Sequence, residues 1–239
     1  MRKRPKAMLF DVFGTLVDWR RGVAAVAGET FAGRGLDIDP EAFALAWRAE
    51  YQPAMQPVRD GRRGYTPLDV LHRENLEIVL ARLGLAEAID GSERDRLTGA
   101  WEKLPPWPDV LPAMDRLRGD FLLAPCSNGS IALMARLSRF AGLRWDAVLG
   151  ADIARNYKPA PEVYRASCLA LGLEPGQVMM VAAHNDDLVA ARHCGMQTGF
   201  LPRLFEYGRN QRSDMAPEQD WNAVAADLLD LHESLGNWP

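Results

Sequence analysis

Cysteine is scarce in this chain: three in 239 residues, Cys126, Cys168 and Cys194. An odd, small number set in apolar segments excludes a disulfide framework and fits reduced thiols, as expected of a cytoplasmic protein. Long apolar runs are also missing, since no window reaches the roughly 18 uninterrupted residues that a membrane span needs. Nor is there much excess charge of either sign. Lys and Arg number 28 against 32 Asp and Glu, a formal net charge of −4, which excludes the concentrated basic face that nucleic-acid binding requires. The one dense basic run, Met1–Lys6, leads into an apolar stretch that Asp11 interrupts, so it reads as a solvated arm and not as the start of a signal peptide. Internal repeats and low-complexity segments are absent.

What is present is enough for one core domain with a sizeable insertion. Ala7 to Val12 is a short apolar run ending at Asp11 and a Gly14-Thr15 turn, the pattern of a buried strand that delivers an acidic residue to its C-terminal end. From about Trp19 to Lys103 the periodicity is helical. Phe43, Trp47, Tyr51 and Met55 recur every fourth residue, as do Val70, Glu74 and Ile78, flanked by Leu71, Leu76 and Leu80. Pro105-Pro106-Trp107-Pro108 then makes a stiff joint through which no helix continues.

Beyond it, strand-like runs (Phe121–Cys126, Ala147–Gly150, Val178–Ala183, Gln197–Leu201) alternate with helices starting near Ser130, Pro161 and Asp187. This alternation predicts an α/β fold: a doubly wound parallel sheet, Rossmann-like, carrying an inserted helical cap. The expected division is a core of residues 1–16 and 105–239 and a cap of residues 17–104.

Loops at the carboxyl ends of parallel strands form the ligand crevice of such folds. Four loops bring polar residues there: Asp11–Leu16, Ser127–Ser130, Tyr157–Pro159 and Ala182–Asp187. Taken in this order they resemble the motifs of the haloacid dehalogenase superfamily, over the whole chain and including a cap inserted after the first motif. The resemblance makes Asp11 a carboxylate nucleophile, with Gly14 allowing close backbone approach and Thr15 hydrogen-bonding the carboxylate.

Phosphatases of the superfamily carry an acid two residues after the nucleophile to protonate the leaving alcohol, a contribution of about 10²–10⁴-fold; here that residue is Phe13. They also hold magnesium through an aspartate near the end of the later strand, where this chain has Ala183. No metal or other cofactor is therefore expected, and a halide, which needs no proton donor, suits the site better than a phosphate ester.

Within the superfamily the chain is most similar to the L-2-haloacid dehalogenases. Their carboxylate-binding arginine follows a tryptophan on a cap helix, as Arg48 follows Trp47, and a guanidinium fork grips a carboxylate in bidentate fashion. The resemblance further implies that Ser127 lies near the substrate carboxylate and Asn128 near the halide, which Arg48 also contacts. Tyr65 would wall the halide pocket, and Phe13 replaces a usual tyrosine.

Lys158 would keep Asp11 and Asp187 ionised, and Tyr164 would bond to the same network. Asp187 would orient or deprotonate the hydrolytic water. Where well-known members have Ser-Ser-Asn this chain has Ala182-Ala183-His184, and His184 is a candidate to assist, since imidazole titrates near neutrality.

The expected reaction is hydrolysis of a small 2-halocarboxylate, (S)-2-haloacid to (R)-2-hydroxyacid plus halide, through an Asp11 ester. No nucleic-acid or membrane partner is expected, and the resemblance points to a homodimer. Two alternatives stay open at this point: a phosphomonoester phosphatase, and a non-catalytic module that keeps Asp11 as a phosphoacceptor.

Overall fold

The computed structural model describes residues 4–236; the first half of the basic run, residues 1–3, lies outside them. Five parallel strands form one sheet in the order β2-β1-β3-β4-β5. They are β1 (Ala7–Phe10), β2 (Leu122–Pro125), β3 (Val178–Ala182), β4 (Gln197–Phe200) and β5 (Ala223–Val224). Strand β1 is central: Phe10 pairs with Pro125 on one side and with Val181 on the other. The chain leaves β1 in one direction and later returns to its opposite side, so the end of β1 is the topological switch point, where ligand crevices open.

All four residues of β1 are fully buried, as a strand covered on both faces must be. Side-chain alternation divides them. Met8 and Phe10 join one apolar cluster with α6 (Val110–Leu117), α7 (Ile131–Ala141) and α10 (Leu228–Gly236). Ala7 and Leu9 join a second with α8 (Pro161–Ala170) and α9 (Asn185–His193) on the opposite face. This is the doubly wound arrangement expected from the alternating pattern.

Between β1 and α6 the chain is helical throughout: α1 (Trp19–Gly33), α2 (Pro40–Ala49), α3 (Tyr51–Arg59), α4 (Leu68–Arg82), α5 (Gly91–Thr98) and a 3-10 turn at Gly99–Glu102. Three of the starts have a side-chain cap. The Asp18 carboxylate caps α1, the Asp39 carboxylate caps α2 ahead of Pro40, and Asp90 with Glu93 forms a capping box on α5. The two crossings into and out of this helical block run side by side. Asp18 N donates to Pro105 O (2.9 Å) and Trp107 N to Leu16 O (3.0 Å). The helices share one apolar cluster with the sheet, in which Trp19, Trp47 and Trp101 lie beside Phe13 and Leu16.

Four details differ from the sequence expectations. The stripe of Phe43, Trp47, Tyr51 and Met55 is buried but spans two helices, because Pro53 cannot donate to the Ala49 carbonyl and its ring crowds that carbonyl, so the helix breaks at Glu50. On α4 the buried face is Leu68, Leu71, Leu76 and Leu80, whereas Val70 and Ile78 point outward at 45% and 46% exposure. Ala147–Gly150 is not a strand: the Asp146 carboxylate takes the Leu123 N–H that a strand carbonyl would accept (2.8 Å), which ends the pairing. The edge strand β5, only two residues long, was not among the expected strands.

Candidate active site

Asp11 leaves β1 with its N–H bonded to Val181 O (3.0 Å), so the backbone of the central strand fixes where its carboxylate points. Three groups converge on that carboxylate. Thr15 Oγ1 donates to Oδ2 (2.6 Å), Lys158 Nζ donates to Oδ1 (2.8 Å), and His184 Nδ1 lies 3.1 Å from Oδ2. The Thr15 hydroxyl in turn accepts from Ala183 N (2.9 Å), tying the first loop to the last. Lys158 Nζ also donates to Asp187 Oδ2 (2.5 Å), and Tyr164 OH donates to Asp187 Oδ1 (2.5 Å). Both Asp187 oxygens are thus occupied, which suits an anchor for Lys158 better than a free base.

The charges follow from this geometry. Burial alone would push the Asp11 carboxyl up, but the ammonium of Lys158 and the imidazole of His184 reverse that effect and hold it well below the usual carboxylate range. Burial likewise opposes the charge on Lys158, yet Asp11 and Asp187 hold the amine above its ordinary value. Asp187, buried and next to the Asp11 charge, is pushed up. Asp11 is therefore the firmly ionised member of the pair.

Asp11 opens onto a cavity of about 730 Å³ whose far side is built from α2, α3 and the loop after β4. Arg48, Tyr51 and Tyr207 form that side, and Phe13, Asn128 and His184 surround the carboxylate. The Arg48 guanidinium stacks on Tyr51 (3.8 Å to the ring centroid) and lies 5.2 Å from the Trp19 ring. Its Nη1 is buried and has no hydrogen-bond partner among the described residues. Burial opposes its charge, but Tyr51, Tyr207 and Glu206 hold the pKa above the usual arginine value. Asn128 Oδ1 accepts from Lys158 N (2.7 Å), which leaves its amide N–H groups as the donors that it can offer a ligand. A smaller cavity of about 340 Å³ adjoins on the other side of Arg48 and shares Tyr51, Gln52 and Tyr207 with the first.

Two of the expected residues are not among those that line the cavity. Tyr65 does not line the cavity: it packs against Tyr157 (5.8 Å between centroids) and under Arg155, because the loop before α4 folds away from Asp11, and Tyr51 takes the aromatic wall instead. Ser127 is buried beneath the cavity, its hydroxyl accepting from Gly129 N (3.1 Å) within the turn that starts α7.

Other groups at the site were not among the candidates. Glu206, on the loop after β4, is fully buried, with Oε2 2.8 Å from His184 Nε2 and Oε1 accepting from Trp19 Nε1 (2.8 Å). That loop is pinned by Arg203, which grips Asp109 with both Nη atoms (2.7 and 2.9 Å) and donates through Nε to Thr15 O (2.8 Å). Its position after a parallel strand was the available signal, the same rule that selects the loops of Asp11, Asn128 and His184. Arg59 on α3 donates to Lys158 O (3.1 Å) and to Gln52 Oε1 (2.9 Å), joining the helical block to the Lys158 loop.

Fold and site together define a hydrolase built around a strand-end carboxylate. The chain belongs to the haloacid dehalogenase-like hydrolase family, whose signature matches residues 5–195. Among solved structures it is similar to a defluorinating L-2-haloacid dehalogenase, at 43% identity and a TM-score of 0.95, over 97% of this chain and 95% of that one. A second L-2-haloacid dehalogenase is 46% identical with a TM-score of 0.91, over 97% and 99% of the two chains. The L-2-haloacid dehalogenase of Xanthobacter autotrophicus with chloropropionic acid covalently bound is 26% identical with a TM-score of 0.81, over 98% and 100%.

Proposed function

We propose that this protein is a 2-haloacid dehalogenase that hydrolyses (S)-2-haloacids to (R)-2-hydroxyacids and halide through an ester of Asp11. The observation that carries the proposal is the opposition, across one cavity, of an ionised carboxylate at Asp11 and a buried guanidinium at Arg48 whose Nη1 has no partner among the described residues. A buried donor of this kind is costly unless a ligand satisfies it, and a carboxylate is the anion that fits its fork.

In the first half-reaction an Asp11 oxygen forms a bond to Cα while the carbon–halogen bond breaks, and the halide leaves with the bonding pair. Ionisation by Lys158 makes Asp11 ready at neutral pH without a base, although it also lowers basicity, so in-line placement has to supply much of the rate. Arg48 holds the substrate carboxylate and, with the Asn128 amide, receives the halide; Phe13 and Tyr51 exclude water around it. In the second half-reaction water attacks the acyl carbon of Asp11, and the hydroxyacid departs with an oxygen that began in Asp11. Lys158, anchored by Asp187 and Tyr164, holds that carboxylate in place through both steps, and Thr15 orients it. Relatives named as L-2-haloacid dehalogenases, one of them with chloropropionic acid covalently bound, support this reading.

The proposal includes no metal: Ala183 offers no ligand, and the positive charge beside Asp11 is the Lys158 ammonium. It also takes residues 1–16 and 105–239 as the catalytic core and 17–104 as the cap. Among the described residues no helix is long and apolar enough to cross a membrane. We include a homodimer on family resemblance and, on the few free cysteines, a cytoplasmic location.

The test is a single turnover of (S)-2-chloropropionate in ¹⁸O-water with enzyme in excess. The expected product is unlabelled and the label enters the peptide that contains Asp11. Label in the first-turnover product would demote Asp11 to a general base, and release of phosphate from an aryl phosphate, dependent on Mg²⁺, would favour a phosphatase.

A further inference from the structure

The imidazole of His184 stands between two carboxylates. Nδ1 is 3.1 Å from Asp11 Oδ2 and Nε2 is 2.8 Å from Glu206 Oε2. A neutral ring has one N–H and one lone pair, so it would turn a lone pair toward one of two negative oxygens; the geometry calls for hydrogen on both nitrogens. Burial opposes that charge, but Glu206 and Asp11 together hold the ring well above its usual pKa. The Glu206 carboxylate is placed for this purpose by three contacts away from the ring. Trp19 Nε1 donates to Oε1, Arg20 Nε donates to the Glu206 carbonyl (3.2 Å), and Gly14 leaves room for the carboxylate. The other charged or titratable groups that line this cavity are Asp186 and Asp187 on the helix that His184 precedes, Lys158 and Tyr164 beyond Asp11, Asp214, and Arg48, Tyr51, Arg59 and Tyr207.

We propose that Glu206 is a positioning residue for ester hydrolysis: it keeps His184 Nε2–H while esterification of Asp11 removes the second carboxylate, so that alkylation itself turns His184 from an imidazolium into the base for the water. The proposal rests on the ester reading above. In the first half-reaction Asp11 carboxylate and the haloacid give ester and halide, and His184, having lost its anionic partner at Nδ1, releases that proton to solvent. In the second, water adds its oxygen to the acyl carbon and the ester bond breaks. The hydroxyacid takes one hydrogen of the water, and the other proton returns to Nδ1. The single proton that the overall reaction produces therefore appears with the halide and not with the hydroxyacid. The free enzyme has His184 charged and bonded to its nucleophile; only the ester form holds a base beside the carbon to be attacked.

Two measurements test this. In wild-type enzyme, single turnovers in weak buffer with a pH indicator are compared with quenched samples assayed for halide and hydroxyacid. Proton release in step with halide supports the proposal, and proton release in step with hydroxyacid overturns it. The second measurement uses Glu206→Gln, nearly isosteric and still able to accept from Trp19.

In Glu206→Gln the halide burst should persist, and the modified Asp11 peptide should accumulate because hydrolysis slows by about 10²-fold or more. The acid limb of hydrolysis should move to lower pH, and Glu206→Asp should restore part of the rate. A purely structural role for Glu206 would leave hydroxyacid release in step with halide and the pH limb unmoved, which also overturns the proposal. Should Glu206→Gln not fold, the wild-type proton count decides alone. Absence of a modified Asp11 peptide in wild type, Glu206→Gln and His184→Gln alike would instead sink the ester reading itself.

Discussion

The Glu206 carboxylate lies directly over Gly14: a β-carbon at residue 14 would sit 2.1 Å from Glu206 Oε1. Gly14 also has φ +88°, a left-handed conformation that side chains resist, and its carbonyl accepts from Trp107 Nε1 (2.8 Å). One residue therefore shapes the nucleophile turn and makes room for the carboxylate that holds His184.

Gly14→Ala should lose stability by about 1–3 kcal/mol from backbone strain alone, and lose more activity than the folded fraction explains, because Glu206 must move off His184. Thermal unfolding and active-site titration by halide burst measure the two effects separately. A variant as stable and as active as wild type would refute the close approach.

Lys158→Gln leaves two buried carboxylates, Asp11 and Asp187, without the ammonium between them. Breaking a buried pair costs about 3–5 kcal/mol, so unfolding should shift strongly. With Lys158 present Asp11 stays ionised far into acid; without it the Asp11 pKa rises, and the acid limb of kcat/KM should move to higher pH. A pH–rate profile that keeps its acid limb unchanged would show that Lys158 does not set the charge of Asp11.

Arg48→Lys keeps the charge but loses the planar fork and the stacking on Tyr51. The expected result is a fall in kcat/KM for (S)-2-chloropropionate of about 10- to 100-fold, as for loss of a charged hydrogen bond worth about 1.5–3 kcal/mol. Wild-type kinetics in this variant would make Arg48 a packing residue with no hold on the substrate.

Two histidines, the buried His72 and the half-buried His184, should give stability an optimum near pH 6.5. His72 is stacked on Trp101 (4.1 Å between centroids), and burial together with the Arg48 charge holds its pKa well below the ordinary histidine value of about 6.5. Below pH 6.5 the unfolded chain takes up a proton that folded His72 refuses, so stability falls by about 1.4 kcal/mol per pH unit as pH drops. His184 has the opposite sign: its folded pKa is raised, so its contribution is complete below pH 6.5 and is lost as pH rises toward that folded value. Urea midpoints measured across pH in wild type and His72→Asn test this. The acid slope should shrink in the variant and the alkaline slope should remain; an unchanged acid slope would assign it to carboxylates instead.

The sequence by itself determined most of the elements and the loops that carry polar chemistry, because those depend on local pattern, but not the end of pairing at Asp146, strand β5 or the break at Glu50. An apolar run buried on both faces makes β1, and whatever follows it, here Asp11, is delivered to the switch point. Helical periodicity from Trp19 to Lys103 needed no partner to be recognised, and the loops bearing Asn128, Lys158, His184 and Asp187 follow strand-like runs in the same way. The tertiary structure alone decided which side chains from distant loops meet. Glu206 reaches His184 and Trp19 only because Arg203 ties its loop to Asp109 and Thr15 and Arg20 holds its carbonyl. Tyr51 replaces Tyr65 as the cavity wall because the direction of the loop before α4 is set by packing, not by its residues' own preferences. Side-chain convergence of this kind spans up to 188 residues, and its physical cause is the joint burial of whole elements, which no local pattern encodes.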